Sequence, residues 1–409
     1  MKCRACGQID MVSFADLDTS PPSNAYLNYE DLEVPELWYP LKVFVCKSCF
    51  LCQTADYVSS NEVFTEDYAY FSSVSQSWLE HSKRYVNQVI GELHLREESF
   101  VIEIASNDGY LLQFFSEQKI PCLGIEPTQS TADVAKSKGI NTIETFLTLL
   151  TAREILGEFA QADLIIGNNV LAHVPDINDF VAAAALMLKD TGTITFEFPH
   201  LLELIKHGQF DTIYHEHFSY LSVIALKSIF SRARLDIYKI ERLNTHGGSL
   251  RVWLQHSITG KHRIDSSVEE LVSLEKEFGL MTIKLYEDFQ ERIYSTKNSL
   301  LRFLLDAKKD GMKVVAYGAA AKGNTLLNYA GVRSDLLECI VDQSTAKIGK
   351  FAPGSRIPIV KLEEIKLVRP DYILILPWNL KNEILPILEF SREWGCKILS
   401  AIPDIQAFL

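Results

Sequence analysis

The 409 residues predict an α/β chain: a small amino-terminal zinc-binding domain, a central doubly wound sheet and a carboxy-terminal Rossmann-like α/β domain. Three observations predict this. Two Cys-x-x-Cys pairs stand in a loop-rich opening stretch. From about Ser99 to Pro199 short apolar runs alternate with helical patterns. After a helix-rich stretch the same alternation resumes near residue 311. A chain this long exceeds one ordinary core, so two or three domains are expected. With 47% hydrophobic and 23% charged residues, the composition is that of a globular protein. The net charge of −13 argues against nucleic acid as a partner, because phosphate backbones call for clustered Lys and Arg. The start, "MKCRACGQIDM", holds no apolar leader, and no later run approaches the roughly 20 apolar residues of a membrane span. A cytoplasmic protein, monomeric or weakly homo-oligomeric, is the expectation.

Residues 1–70 read as short strands, turns and polar loops: "SPPSNAY", "VPELWYP", "LKVFVCKSCFLCQT". In a large chain with no leader, paired cysteines indicate metal rather than disulfides. Cys3 and Cys6 supply two thiolates from one tight turn, and Cys46 and Cys49 supply two from another. Four such ligands fill a tetrahedron around zinc and make the site structural. Metal binding adds folding free energy to a segment short of apolar residues. Cys52 is a possible substitute ligand, and four free thiols remain the alternative.

Residues 71–265 open on a helix, "VSQSWLEHSKRYVNQVIGEL". Then come strand "SFVIEIASNDG", helix "YLLQFFSEQ", strand "CLGIEPT", helix "ADVAKSKG" and strand "ADLIIGNNVLAHV". Helix "INDFVAAAALMLKDTG" and strand "TITFEFP" follow. Such repetition means a mainly parallel sheet with ligands at the carboxyl ends of its strands. The first of these strands carries Glu103 and turns through Ala105, Asn107, Asp108 and Gly109. This is not the glycine-rich G-x-G-x-x-G of dinucleotide binders. One strand later Glu126 suits the two hydroxyls of a ribose. Carboxylates here fit a cationic amino-acid ligand better than a pyrophosphate, which favours S-adenosylmethionine over a nicotinamide. Asn168, Asn169 and His173 occupy the fourth strand end. A sheet that merely ends in acidic residues is the plainer alternative.

"DTIYHEHFSY", residues 211–220, sets His215 and His217 on either side of Glu216, with Tyr214 in front. If extended, it puts both histidines on one face and Tyr214 with Glu216 on the other. A metal site and a structural polar cluster are the alternatives to proton transfer. "THGGSLR" adds His246 and Gly247, either a close backbone approach to a ligand or a plain hairpin turn. Residues 266–310 are helix-rich and form a connector, with Gly311 as its stop. In 311–409, "YGAAAKGNTLL" is a strand, a small-residue turn and a helix start. There Lys322, Asn324 and the amides near Gly323 can take a diphosphate. Trp378 and Asn379 end another strand and can meet a base or a sugar. A domain that only closes the cleft is equally open.

Together the two cysteine knuckles, "YAYFSS", "EIASNDG", "NNVLAHVP", "DTIYHEHFSY", "HGGSLRV" and "YGAAAKGNTLLNY" resemble the sugar C-methyltransferases of antibiotic and surface-polysaccharide pathways, over essentially the whole chain. Ala105 departs from the glycine many methyltransferases carry there. The resemblance implies a class I S-adenosylmethionine-dependent central domain. Its implied substrate is a nucleotide-linked keto-deoxysugar, usually on thymidine diphosphate, methylated at carbon 3 or, in some relatives, carbon 5. It implies His217 as the base, with Glu216, Tyr214 and Tyr68 lining the pocket and His173 close by. Tyr70 is the alternative match for Tyr68. An O- or N-methyltransferase, a nicotinamide-dependent oxidoreductase and a non-enzymatic zinc scaffold remain rivals.

Overall fold

The computed structural model describes residues 1–55, 57 and 71–408, so Tyr68 and Tyr70 lie outside the described residues. Three sheets organise them. In the amino-terminal module β1 (Met11–Ser20), β2 (Tyr39–Cys46) and β3 (Cys52–Thr54) form an antiparallel meander. Alternate residues of β2 are buried, the period expected when one face of a sheet packs and the other is wet. The packed face has no separate core of its own. Phe14 stacks on Phe289 with ring centroids 4.9 Å apart and meets Tyr286 edge-on. Both partners belong to the helical connector.

The central sheet contains β4 (Val101–Ile104), β5 (Cys122–Ile125), β6 (Thr142–Ile143), β7 (Ala162–Asn168) and β8 (Leu188–Pro199). Before its last two strands the chain makes β9 (Ser219–Tyr220), then returns with β10 (Leu235–Leu243) and β11 (Ser249–His256). The order is β10-β11-β8-β7-β4-β5-β6, with β4 to β8 parallel and β11 antiparallel to both its neighbours. β4 is buried along its length, as a sheet covered on both faces requires. The direction of winding reverses at β4, which opens a crevice at the carboxyl ends of β4, β5 and β7. β9 leaves this sheet altogether. It pairs antiparallel with β3, Cys52 opposite Tyr220, and ties the central domain to the zinc module two residues past His217.

The helix expected over "INDFVAAAALMLKDTG" is shorter than the sequence suggests. It spans Ile177–Met187, capped by Asp176, and Leu188 already pairs with Ala162 in β8. Sheet pairing overrides the local pattern in a stretch, "KDTG", with weak helix propensity. The connector forms helices Ser266–Phe278, Ile283–Glu287 and Phe289–Lys309. The chain leaves the last of them through Gly311 at φ 71°.

The carboxy-terminal sheet comprises β12 (Val314–Tyr317), β13 (Ile340–Val341), β14 (Ile359–Val360), β15 (Tyr372–Ile375), β16 (Lys397–Ser400) and β17 (Gln406–Phe408). Its order is β14-β13-β12-β15-β16-β17, parallel except for β17. The winding reverses at β12, and the loops after β12 and β15 face residues 209–217. Among the described residues no helix is long and apolar enough to cross a membrane.

Candidate active site

The four expected cysteines converge. The Sγ atoms of Cys3, Cys6, Cys46 and Cys49 lie within 4.8 Å of one another, with Cys3–Cys49 and Cys6–Cys46 both at 3.5 Å. Two tight turns produce this: Gly7 N–H donates to the Cys3 carbonyl, and Phe50 N–H to that of Cys46. Four sulfurs at such spacing fit one tetrahedral zinc ion. Cys52 is buried beside them and outside the cluster.

At the crevice, Ala105 (φ 56°), Asn107 (φ 48°) and Gly109 (φ 74°) are all left-handed. Only glycine adopts that conformation without strain, and for alanine it costs about 1–2 kcal/mol. The surroundings hold it in place. Asn107 N–H donates to Glu126 Oε2 at 2.9 Å, and Asn107 Oδ1 accepts from Ser72 N–H at 2.9 Å. The Asp108 carboxylate accepts from the Ser73 hydroxyl and lies 3.4 Å from Lys138 Nζ. Glu103, fully buried at the end of β4, has its carboxyl held well above the usual range by burial, which outweighs the opposing Tyr110 hydroxyl. Burial also raises Glu126, against the pull of the Thr128 and Asn107 amides. Asp108 Oδ1 and Asn168 Oδ1 are buried without a hydrogen-bond partner. Orphaned acceptors of this kind fit a ligand with amino and hydroxyl donors. The methionyl and ribose ends of S-adenosylmethionine have both, so the residues present fit that cofactor.

Residues 211–217 form turns rather than an extended strand, so the division of faces that an extended segment would give does not arise. Phe210–Thr212 is a short 3-10 turn, and His217 N–H closes a second turn onto the Tyr214 carbonyl at 3.0 Å. His215 and His217 consequently point apart. His215 turns to the zinc module, with Nε2 3.3 Å from the Pro40 carbonyl and its ring edge-on to Tyr39. The ring of His217 lies 4.0 Å from that of Tyr214 and 4.7 Å from that of His173. Its Nδ1 is 2.8 Å from the Thr212 carbonyl, an acceptor only, so Nδ1 carries the proton and Nε2 the lone pair. Burial, aided by His173, keeps the His217 imidazole well below its ordinary value. Burial likewise lowers His173 to about 4. Glu216 is buried and raised to about 7, against an opposing hydrogen bond from Asn24.

His173 follows β7 by five residues, so the histidine cluster adjoins the crevice at the strand ends. His246 joins the two: its Nε2 is 2.9 Å from Asn169 Nδ2, and its ring is 5.3 Å from that of Trp78, which also stacks on Tyr110. Gly247 (φ 87°) is required by its neighbour, since a Cβ there would stand 2.4 Å from the Trp378 ring. From the carboxy-terminal domain Lys322 reaches in, its Nζ 2.7 Å from Asn379 Oδ1 and 4.6 Å above Trp378. Its charge acts on Asp211, His217 and His246. Gln209, Gly247, Trp378, Asn379 and Lys381 line a cavity of 230 Å³. Asn324 lies elsewhere, buried in the domain seam with its amide on the Ser23 carbonyl.

Two residues that the sequence does not single out as site residues matter to this geometry. Asp211 accepts from Trp378 Nε1 at 2.7 Å, and burial raises its carboxyl to about 6 despite Lys322. Asn24, inside "SPPSNAY", holds Glu216 from 192 positions away. Only the opening "D" of "DTIYHEH" offered a hint of the first, and nothing offered one of the second.

Comparison with known proteins agrees with this layout. Family models match in chain order: a zinc binding domain at residues 3–64, a methyltransferase domain at 78–240 and a C-methyltransferase C-terminal domain at 244–403. C-methyltransferase NovU of Streptomyces niveus is 31% identical over 403 residues, covering 98% of this chain and 96% of that protein. The chain belongs to the C-methyltransferase family. It is a zinc-binding, S-adenosylmethionine-dependent enzyme of that family. A ubiquinone biosynthesis O-methyltransferase of Bartonella tribocorum is 29% identical over 93 residues, 22% of this chain and 38% of that protein. Among solved structures, magnesium protoporphyrin IX methyltransferase of Synechocystis with bound S-adenosylhomocysteine aligns at 13% identity and a TM-score of 0.35. That alignment covers 43% of this chain and 81% of the other.

Proposed function

We propose that this C-methyltransferase acts on a nucleotide-linked keto-deoxysugar: thymidine diphosphate is the carrier the family resemblance favours, and carbon 3, beside the ketone, is the position methylated.

 The reading is supported by the state of His217. Its Nδ1 proton is fixed on the Thr212 carbonyl, and Nε2 keeps a lone pair in a buried, uncharged ring beside the cofactor crevice. Carbon becomes a nucleophile only when a proton next to a carbonyl is removed and the resulting enolate is stabilised. In this reading His217 Nε2 takes that proton. The electron pair of the broken C–H bond passes to the enolate, and Tyr214 and His173 stand close enough to His217 to line the oxyanion side. Bound S-adenosylmethionine supplies an electrophilic methyl group, which the substrate carbon takes as the sulfonium pair leaves with sulfur. Imidazolium then returns its proton to solvent. Glu126, Asp108 and Asn168 hold the cofactor, while Lys322, over Trp378, meets the diphosphate of the carrier.

His217→Ala is expected to bind S-adenosylhomocysteine like the native enzyme and to lose at least roughly a hundredfold in turnover, the usual size of a general-base contribution. Solvent deuterium should enter the ketose in the native enzyme and not in the variant. Near-native turnover in His217→Ala, or a product whose new methyl sits on oxygen or nitrogen by NMR, overturns the reading.

A further inference from the structure

The loop Ser23–Tyr26 of the zinc module is inserted where all three domains meet. Asn24 Nδ2 donates to both carboxylate oxygens of Glu216, at 2.8 and 2.9 Å. The residues around it are fixed from the carboxy-terminal domain. Asn324 Nδ2 donates to the Ser23 carbonyl at 2.8 Å, Ser23 Oγ lies 3.3 Å from Thr325 Oγ1, and the Tyr26 hydroxyl donates to the Ala319 carbonyl at 2.6 Å. Thr325 also donates to the Ile213 carbonyl at 2.9 Å, so the turn that carries Glu216 is held from the same helix. The amide of Asn24 therefore has little freedom to leave Glu216.

A buried carboxyl group is costly unless its hydrogen bonds are made, and Glu216 is only 2% exposed. The partner here is a neutral amide rather than a Lys or Arg. It orients the group and favours the carboxylate without fixing it as an ion pair. The groups facing Glu216 are the Tyr26 phenol, which senses its charge, and His173, which bonds to its main chain. Asp342 stands behind Tyr26, and His215 and His217 flank Glu216 in the turn.

We propose that Asn24 is a positioning residue for methyl transfer: its amide sets the orientation and ionisation of Glu216, and through that side chain the zinc module acts on the chemistry. This rests on the function proposed above and on Glu216 lining the substrate pocket, as the family resemblance implies.

The sign of the effect follows from the two opposing influences on Glu216. Burial raises its carboxyl and Asn24 lowers it. Without the amide the carboxyl rises further above about 7, and the carboxylate fraction at neutral pH falls. Asn24→Ala is thus expected to lower kcat roughly ten- to hundredfold at pH 7, the range for losing a hydrogen bond to a charged group. The acidic limb of its pH–rate profile should move to higher pH. Zinc content and S-adenosylhomocysteine affinity should stay native. In a Glu216→Gln background the same substitution should cost nothing more, since a residue acting only through Glu216 has nothing left to act on. Asn24→Asp keeps the shape and carries the test should the alanine variant fail to fold. Its carboxylate should produce the larger loss and the larger alkaline shift. A native rate and pH profile in Asn24→Ala overturns the proposal, as does an undiminished loss in the Glu216→Gln background. If Glu216→Gln alone turns over like the native enzyme, the role of Glu216 itself is at fault, and the proposal falls with it.

Discussion

The half of this site that we propose for the cofactor and the histidine half are built in different ways. The cofactor half comes from one sheet: Glu103, the left-handed run 105–109, Glu126 and Asn168 all stand at carboxyl ends of neighbouring strands. The histidine half needs three domains. Its turn belongs to the central domain, β3 and Asn24 secure it from the zinc module, and Thr325 and Trp378 secure it from the carboxy-terminal domain. Damage to one half should therefore spare the other unless it reaches a residue that both share.

Removing zinc offers the largest test of that difference. A structural zinc contributes on the order of 10 kcal/mol to the fold of a small domain. Chelation, or Cys49→Ser, is expected to loosen the module that supplies β3 and Asn24. Turnover should then be lost while S-adenosylhomocysteine binding stays within a few-fold of native, as titration calorimetry can measure. Equal loss of both would show that the cofactor half also depends on the zinc module.

How much of this is legible in the sequence follows the same division. The cysteine knuckles and the strand–helix alternation are local patterns: each knuckle closes one tight turn, and the alternation repeats over consecutive elements. The left-handed loop is half legible: "EIASNDG" marks the place, yet its missing glycines conceal that Ala105 and Asn107 take glycine-like dihedrals. Whether 211–217 is extended or turned stays open in the sequence, because residue types alone cannot reveal a hydrogen bond from His217 N–H back to the Tyr214 carbonyl. What Asn24 and Trp378 bond to is beyond reach for a simpler reason. Their partners lie 192 and 167 positions away, and no spacing rule spans that distance.

Glu197 is a residue that both halves share. Its carboxylate pairs with Arg251 at 2.6 Å and His81 at 2.9 Å and accepts from Thr245 at 2.9 Å, while its carbonyl accepts from Asn169 N–H at 2.7 Å. Burial alone would raise this carboxyl, but His81 and Arg251 overcome it and bring it down to about 2. A carboxyl lowered on folding adds stability above its unfolded value, and that stability fades as pH falls towards the folded one. The native protein should lose this contribution between about pH 4.5 and about pH 2. Glu197→Gln should cost about 3 kcal/mol at pH 7 by urea unfolding, the lower end for breaking a buried pair, because Arg251 keeps Glu241. The gap between variant and native protein should narrow through that acid window. A pH-independent gap would mean that packing rather than charge holds the junction.

The smallest effect is expected at Ala105, where the cofactor half depends on backbone shape. Ala105→Gly removes a left-handed strain of about 1–2 kcal/mol. It also frees the unfolded chain by about 0.4–1 kcal/mol, so the net gain in stability should lie between zero and about 1.6 kcal/mol. Affinity for S-adenosylhomocysteine should be unchanged, because the dihedrals at 105 suit glycine as well as alanine. Ala105→Val places a β-branched residue in the same conformation and should weaken both stability and cofactor affinity. If glycine instead weakens binding tenfold, the Ala105 methyl group touches the cofactor, and the pocket is defined by side-chain contact as well as by the path of the chain.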